Sequence, residues 1–355
     1  MIFVLISGAV ALLVALFGTP VLMKYLRKHG YSQAIRVSTA DEPYPEHEAK
    51  HGTPSMGGVA IILAVVIGYA VSHLVSGRAP SGSVVLAMYL MLGLGLIGFA
   101  DDYLKIFRQR AQGIRARTKL IGQAFFAISF AFLATRFPDA DGITPASQAI
   151  SFVRDTPLVL PMVLFLIWIW LLVTATTNAV NLTDGLDGLA TGAAVLTFGA
   201  YTVISIWQYG QSCAFDIFAG CYGVRDPLDL AVFASAMAGA CIGFLWWNTS
   251  PAAIFMGDTG SLAIGGAIAA LAILSRTELL LIFLGGLFLI ITLSVIGQVG
   301  SYKLRGKRMF LMAPLHHHFE MKGWSEVKIV VRFWIIQGAC VVLGLGLFYA
   351  EWVKG

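Results

Sequence analysis

Four stretches of this chain carry carboxylates, amides and cationic groups at spacings suited to phosphate chemistry. The first is Asp101-Asp102-Tyr103-Leu104-Lys105, which follows the apolar run 84–100. Adjacent carboxylates raise each other's pKa and attract a divalent cation, and an ionisable group at the edge of hydrocarbon is costly unless solvated, paired or metal-bound. The second is Asn181-Leu182-Thr183-Asp184-Gly185-Leu186-Asp187, where the i, i+3 spacing predicts Asp184 and Asp187 on one face of an opening helix. N-capping accounts for one of these polar residues, not for all three. The third is Asn248 with Phe255-Met256-Gly257-Asp258-Thr259-Gly260-Ser261. No Lys or Arg lies between Arg225 and Arg276, so a metal ion would supply Asp258 with the positive charge its neighbourhood lacks. The fourth is Pro314-Leu315-His316-His317-His318-Phe319-Glu320, whose histidines could serve as metal ligands, phosphate donors or acid/base groups. Zinc is disfavoured, because no cysteine or spaced histidine completes a tetrahedral set.

Weaker candidates flank these. Lys50-His51-Gly52-Thr53 leads into the glycine pair Gly57-Gly58 and lacks the P-loop pattern, so a glycine-rich turn is the simpler reading. Lys119 and Gln123 are one helical turn apart, and Gln298 lies near the end of an apolar run. Together these groups are a toolkit for Mg²⁺-assisted phosphoryl transfer: oxygen ligands hold a hard cation and cationic side chains stabilise developing charge.

The elements that must position them are membrane spans. The chain has 355 residues, 58% hydrophobic and only 12% charged, against roughly 25% charged for a soluble domain. Apolar runs fill it from end to end, which predicts an all-α polytopic membrane protein forming a single domain over 1–355. A span needs about 20 mostly apolar residues. Ten runs qualify by eye: 2–24, 57–76, 83–101, 118–135, 157–175, 189–207, 230–247, 260–275, 279–300 and 329–350. The first has no basic residues before it and reads as a helix, not a cleaved leader. If ten helices alternate, 18 of the 24 basic residues fall on one side, in 24–50, 102–119 and 303–332. Positive charge marks the cytoplasmic side, so both termini are expected outside and all four motifs inside. Cys213, Cys221, Cys241 and Cys340 show no C-x-x-C spacing, and pairing of Cys213 with Cys221 in their shared loop stays open.

The order of these motifs, with the Pro-Leu-His-His-His-Phe-Glu form at 314–320, resembles the bacterial phospho-N-acetylmuramoyl-pentapeptide transferases. These belong to the polyprenyl-phosphate N-acetylhexosamine-1-phosphate transferase superfamily. The resemblance covers the whole chain and is consistent with ten helices and outer termini. It implies transfer of phospho-MurNAc-pentapeptide from UDP-MurNAc-pentapeptide to undecaprenyl phosphate, giving lipid I and UMP for peptidoglycan synthesis. It further implies Mg²⁺ as cofactor and a site on the cytoplasmic face of the inner (plasma) membrane.

By resemblance, Asp258 ligates Mg²⁺, and Asp101 and Asp102 engage the lipid phosphate or assist its deprotonation. Asn181, Asp184 and Asp187 line the nucleotide and metal site, while Asn248, Lys105 and Lys119 serve the substrate phosphates. His317 and His318 stand beside the substrate with His316, and Lys50 and Thr53 approach the uridine. Ser55 stands where the family more often has Thr, which keeps the hydroxyl. Direct attack and a two-step route through an aspartyl-phosphate both fit these residues. Two rivals define the alternatives. A GlcNAc-1-phosphate transferase of the same superfamily is disfavoured by the histidine motif. An ion-coupled transporter is disfavoured because its ligands belong near the midplane, not at one set of helix ends. The oligomeric state, a homodimer included, and the accepted peptide are open at this point.

Overall fold

The computed structural model describes residues 1–31, 52–108, 113–213 and 220–354. The chain is an all-α polytopic membrane protein. Its long helices are α1 (Ile2–Lys28), α2 (Gly58–Ser76), α3 (Gly82–Arg108), α4 (Ala116–Ala134), α5 (Met162–Thr183), α6 (Leu189–Gly210), α7 (Pro227–Asn248) and α8 (Gly257–Leu274). A short α9 (Leu281–Leu284) precedes α10 (Gly286–Arg305), and a short α11 (Leu315–Glu320) precedes α12 (Glu326–Lys354). Backbone groups in lipid must be satisfied within the segment, which is why apolar runs of this length become helices.

Among the described residues nine helices are long and apolar enough to cross a membrane, one fewer than the ten expected. The exception is α4, which has the length but carries Arg117, Lys119 and Gln123 in its first half. The expected span 279–300 is broken at Gly285 into α9 and α10. Gln337 of α12 bridges the break: its Oε1 accepts the Leu287 N–H (2.9 Å) and its Nε2 donates to the Leu284 carbonyl (2.7 Å). Backbone groups freed in the membrane interior are thus re-satisfied by a side chain.

Two further differences bear on the site. The apolar run at 84–100 does not end its helix at Asp101; α3 continues to Arg108, so Asp101, Asp102 and Lys105 are helical. Asp184 and Asp187 do not open α6. Asp184 follows the last turn of α5 and Asp187 sits in the connecting turn before Gly188, whose φ of 78° is left-handed and suits glycine. An antiparallel hairpin, β1 (Ala149–Ser151) with β2 (Asp155–Val159), precedes α5 where the eye sees only turn chemistry and apolar sequence. Cys213 and Cys221 form a disulfide.

The helix at the centre is α8, with every residue from Thr259 to Leu274 buried. Its neighbours include α3, α5 and α2. Small residues allow the backbones to close: a Cβ at Gly98 of α3 would stand 2.1 Å from the Asp258 carbonyl oxygen, and one at Gly58 of α2 would stand 2.0 Å from the Gly260 nitrogen. Close approach through small residues is how helices associate where lipid removes the hydrophobic drive. Although the most enclosed of the nine, α8 has the lowest mean hydropathy, 1.5.

Candidate active site

Asp258 sits in the first turn of α8, where the helix dipole favours a negative charge. Its Oδ2 accepts from Lys119 Nζ of α4 (2.6 Å) and lies 3.2 Å from Lys105 Nζ of α3; its Oδ1 accepts from Asn181 Nδ2 of α5 (2.9 Å). The absence of a local cation in the sequence around Asp258 is therefore made good by two lysines from other helices. Asn181 is further fixed by donating to Ser261 Oγ (2.9 Å).

Beside it, Lys105 also pairs with Asp101 Oδ2 one turn back on α3 (2.6 Å), and Asp101 Oδ1 accepts the Ile114 N–H (2.7 Å). Asp102 turns the other way: Oδ1 accepts the Asp258 N–H (3.0 Å), and Oδ2 accepts the Thr259 N–H (2.9 Å) and hydroxyl (2.7 Å). One oxygen each of Asp101, Asp102 and Asp258 lies within 4.8 Å of the others. A donor set of carboxylate oxygens alone fits a hard cation such as Mg²⁺.

Asp184 is half-buried, and burial, with the charges of Asp258 and Asp102 behind it, pushes its carboxyl well above the usual range. Asp187 is spent on architecture: Oδ2 accepts the Ala252 N–H (3.0 Å), while its own N–H donates to Glu326 Oε1 (2.7 Å). Glu326, at the start of α12, also accepts from Ser250 Oγ (3.3 Å). Asn248 is buried, with Oδ1 accepting from Thr191 Oγ1 (2.9 Å) and Nδ2 donating to the Ile254 carbonyl (3.0 Å). Gln298 Oε1 accepts the N–H groups of Met309 (2.9 Å) and Phe310 (2.8 Å), clamping the strap that leads to the histidines. Gln123 is buried between Thr177 and Asn178.

The histidines ride on α11. His316 is fully buried with neither ring nitrogen hydrogen-bonded, and burial drives its pKa well below the usual range. It fits against the Asp184 turn only because position 185 is glycine, where a Cβ would stand 2.3 Å from His316 Nε2. His317 pairs with Glu320. His318 Nδ1 accepts the Leu311 N–H (3.1 Å), and its pKa is lowered by burial and then by Lys322. Thr53 is half-buried in a loop whose neighbours Pro54 and Gly57 exchange backbone hydrogen bonds with Phe255 (2.9 Å each), just before Asp258. Lys50 lies outside the described residues.

The family model described as glycosyl transferase family 4 matches residues 82–276, and a phospho-N-acetylmuramoyl-pentapeptide-transferase signature matches residues 50–62. The phospho-N-acetylmuramoyl-pentapeptide-transferase of Streptomyces avermitilis is 59% identical, over 98% of each chain. The chain belongs to this family. Its likeness extends to the proteins of the same name in Kineococcus radiotolerans, 57% identical over 99% of each chain, and Cutibacterium acnes, 56% identical over 99% of each chain. The family match at 82–276 spans α3 to α8 and so takes in Asp101, Asp102, Lys119, Asn181 and Asp258.

The structure brings Asp101, Lys105, Lys119, Asn181 and Asp258 into one cluster, with Asp102 beside it. Glu326 and Ser250, which brace the turn at Asp187, stand in none of the motifs, and Thr259, quoted within the Asp258 motif, has no role there although it donates to Asp102. Glu320, quoted within the histidine motif, received no role there. An acid at the first position of a helix, as Glu326 is, was the available signal for the brace on Asp187.

Proposed function

We propose that the chain transfers phospho-MurNAc-pentapeptide from UDP-MurNAc-pentapeptide to undecaprenyl phosphate, giving lipid I and UMP. It does so as one membrane domain over 1–355, with Mg²⁺, its site facing the cytoplasm of the inner (plasma) membrane. The family membership supports the reaction, and the carrying observation is Asp258 ringed by Lys105, Lys119 and Asn181 with Asp101 and Asp102 within 4.8 Å. The clustering of 18 of 24 basic residues in 24–50, 102–119 and 303–332, the segments that alternate to one side, supports the cytoplasmic orientation.

A lipid phosphate oxygen bonds to the sugar-bearing phosphorus of the nucleotide diphosphate, and the bond from that phosphorus to the bridging oxygen breaks, releasing UMP. Asp101 is the carboxylate placed to keep the lipid phosphate deprotonated, with its pair Lys105 at hand for the anion. Lys105 and Lys119 bring two ammonium charges to the region where negative charge develops. Asp258, helped by the neighbouring carboxylate oxygens, would hold Mg²⁺, which when bound supplies charge neutralisation across the diphosphate. Asp184, whose carboxyl is pushed upward by burial and by the charges of Asp258 and Asp102, lies at the same wall. His317, oriented by Glu320, and His318 stand on the α11 side as candidate donors to the substrate.

The test is UMP release by the purified protein with undecaprenyl phosphate and either UDP-MurNAc-pentapeptide or UDP-GlcNAc. Turnover of the first alone, lost with a chelator and restored by Mg²⁺, is expected. Turnover of UDP-GlcNAc alone, or indifference to the chelator, would refute this reading.

A further inference from the structure

Asp102 is drawn by its neighbours into a different task from Asp101. The first N–H groups of a helix have no intrahelical partner, and α8 has no side-chain cap of its own, since Met256 occupies the N-cap position. Asp102, reaching across from α3, accepts the Asp258 N–H with one oxygen and the Thr259 N–H and hydroxyl with the other. Three of about four acceptor positions of the carboxylate are thereby used. The side chain is 2% exposed. The surrounding backbone is shaped to this contact. Gly257 has a φ of 75°, and a Cβ there would stand 2.5 Å from Asp102 Oδ2. Gly98, one turn before Asp102 on the same helix, lets α3 touch the Asp258 carbonyl directly.

We infer that Asp102 is a positioning residue: it caps α8 from the neighbouring helix, aims Asp258 at the cation and diphosphate, and does not itself meet the lipid phosphate. The inference rests on the proposed role of Asp258. A buried anion whose lone pairs already serve three donors has neither the charge nor the free donors to hold a phosphate. Asp101, whose oxygens meet Lys105 and the loop at Ile114, is left as the acceptor-side carboxylate.

The experiment compares the full chain in detergent with Asp102→Asn and the milder Thr259→Val, which removes one of the three donors. Hydrogen exchange across 257–262 reads the cap, and steady-state UMP release reads chemistry. The amide of Asp102→Asn turns an N–H toward a donor, so exchange in that segment is expected to rise about 10-fold, with a smaller rise for Thr259→Val. Asp102→Asn is expected to lower kcat at least ~100-fold while KM for undecaprenyl phosphate stays within about 2-fold. Unchanged exchange in both variants, or a KM for undecaprenyl phosphate raised about 10-fold with kcat preserved, would overturn the inference. The exchange arm reads the cap even if the wild-type chain fails to turn over UDP-MurNAc-pentapeptide, so the two readings fail separately.

Discussion

Asp258 is met by hydrogen bonds and an ion pair from three helices, and no other carboxylate in the cluster faces two lysines. Asp258→Ala is therefore expected to lower UMP release by at least ~10³-fold, the scale of losing the proposed metal ligand in a charge-stabilised transfer, while the chain still elutes as a folded species in gel filtration. Lys119→Ala, which removes one of the two ammonium groups, is expected to lower kcat/KM by ~10²-fold with Lys105 still present. A different residue sets the pH response of stability. Glu278 is 3% exposed between α8 and α9, and burial pushes its carboxyl up from 4.5 to about 7 against hydrogen bonds from Ser151 and Trp168. Between those values the folded chain holds more protons than the unfolded one, so stability falls as pH rises through the window, by about 3 kcal/mol. Thermal scans in detergent at pH 5 and pH 8 should show a drop in the wild type that Glu278→Gln abolishes.

The long helices were legible because apolar runs of about 20 residues leave the backbone no alternative in lipid. Their punctuation was less so. Asp101 looks like the end of a hydrocarbon run, yet α3 continues through it because Lys105, one turn on, neutralises the charge inside the fold. The break at Gly285 is invisible in an apolar sequence, since what permits it is Gln337 from another helix. The site was legible as a set of residues on one face and illegible as a set of roles. Asp102 and Asp101 are chemically the same in sequence, and only the position of α8 separates them; Asn248 and Asp187 likewise turn inward to brace loops. Gln337→Leu leaves the Leu287 N–H and the Leu284 carbonyl without these partners in a buried setting. It is expected to cost about 2 kcal/mol, read as a lower Tm of the detergent-solubilised protein.

The molecule as a whole separates two chemistries by face. The carboxylates, lysines and histidines gather at one set of helix ends, whereas the disulfide Cys213–Cys221 follows the opposite end of α6. A bridge of this kind persists in an oxidising compartment, which agrees with the orientation given by the basic residues. Asp141→Cys should react with a membrane-impermeant maleimide on intact cells, and Met321→Cys only after permeabilisation. The reverse pattern would invert the proposed orientation.

The enclosure of α8 carries a consequence for how the protein is made. The helix that bears Asp258 has the lowest mean hydropathy of the nine, and the elements it packs on most, α3, α5, α2, α6 and α7, all precede it in the chain. During synthesis it therefore leaves the ribosome after its receiving surface has been laid down. The least apolar of the nine spans can thus pass directly into a protein-lined slot. The order of translation thus favours the assembly of the reaction centre, with the histidine-bearing α11 and Glu326 of α12, the brace on Asp187, arriving last to close it.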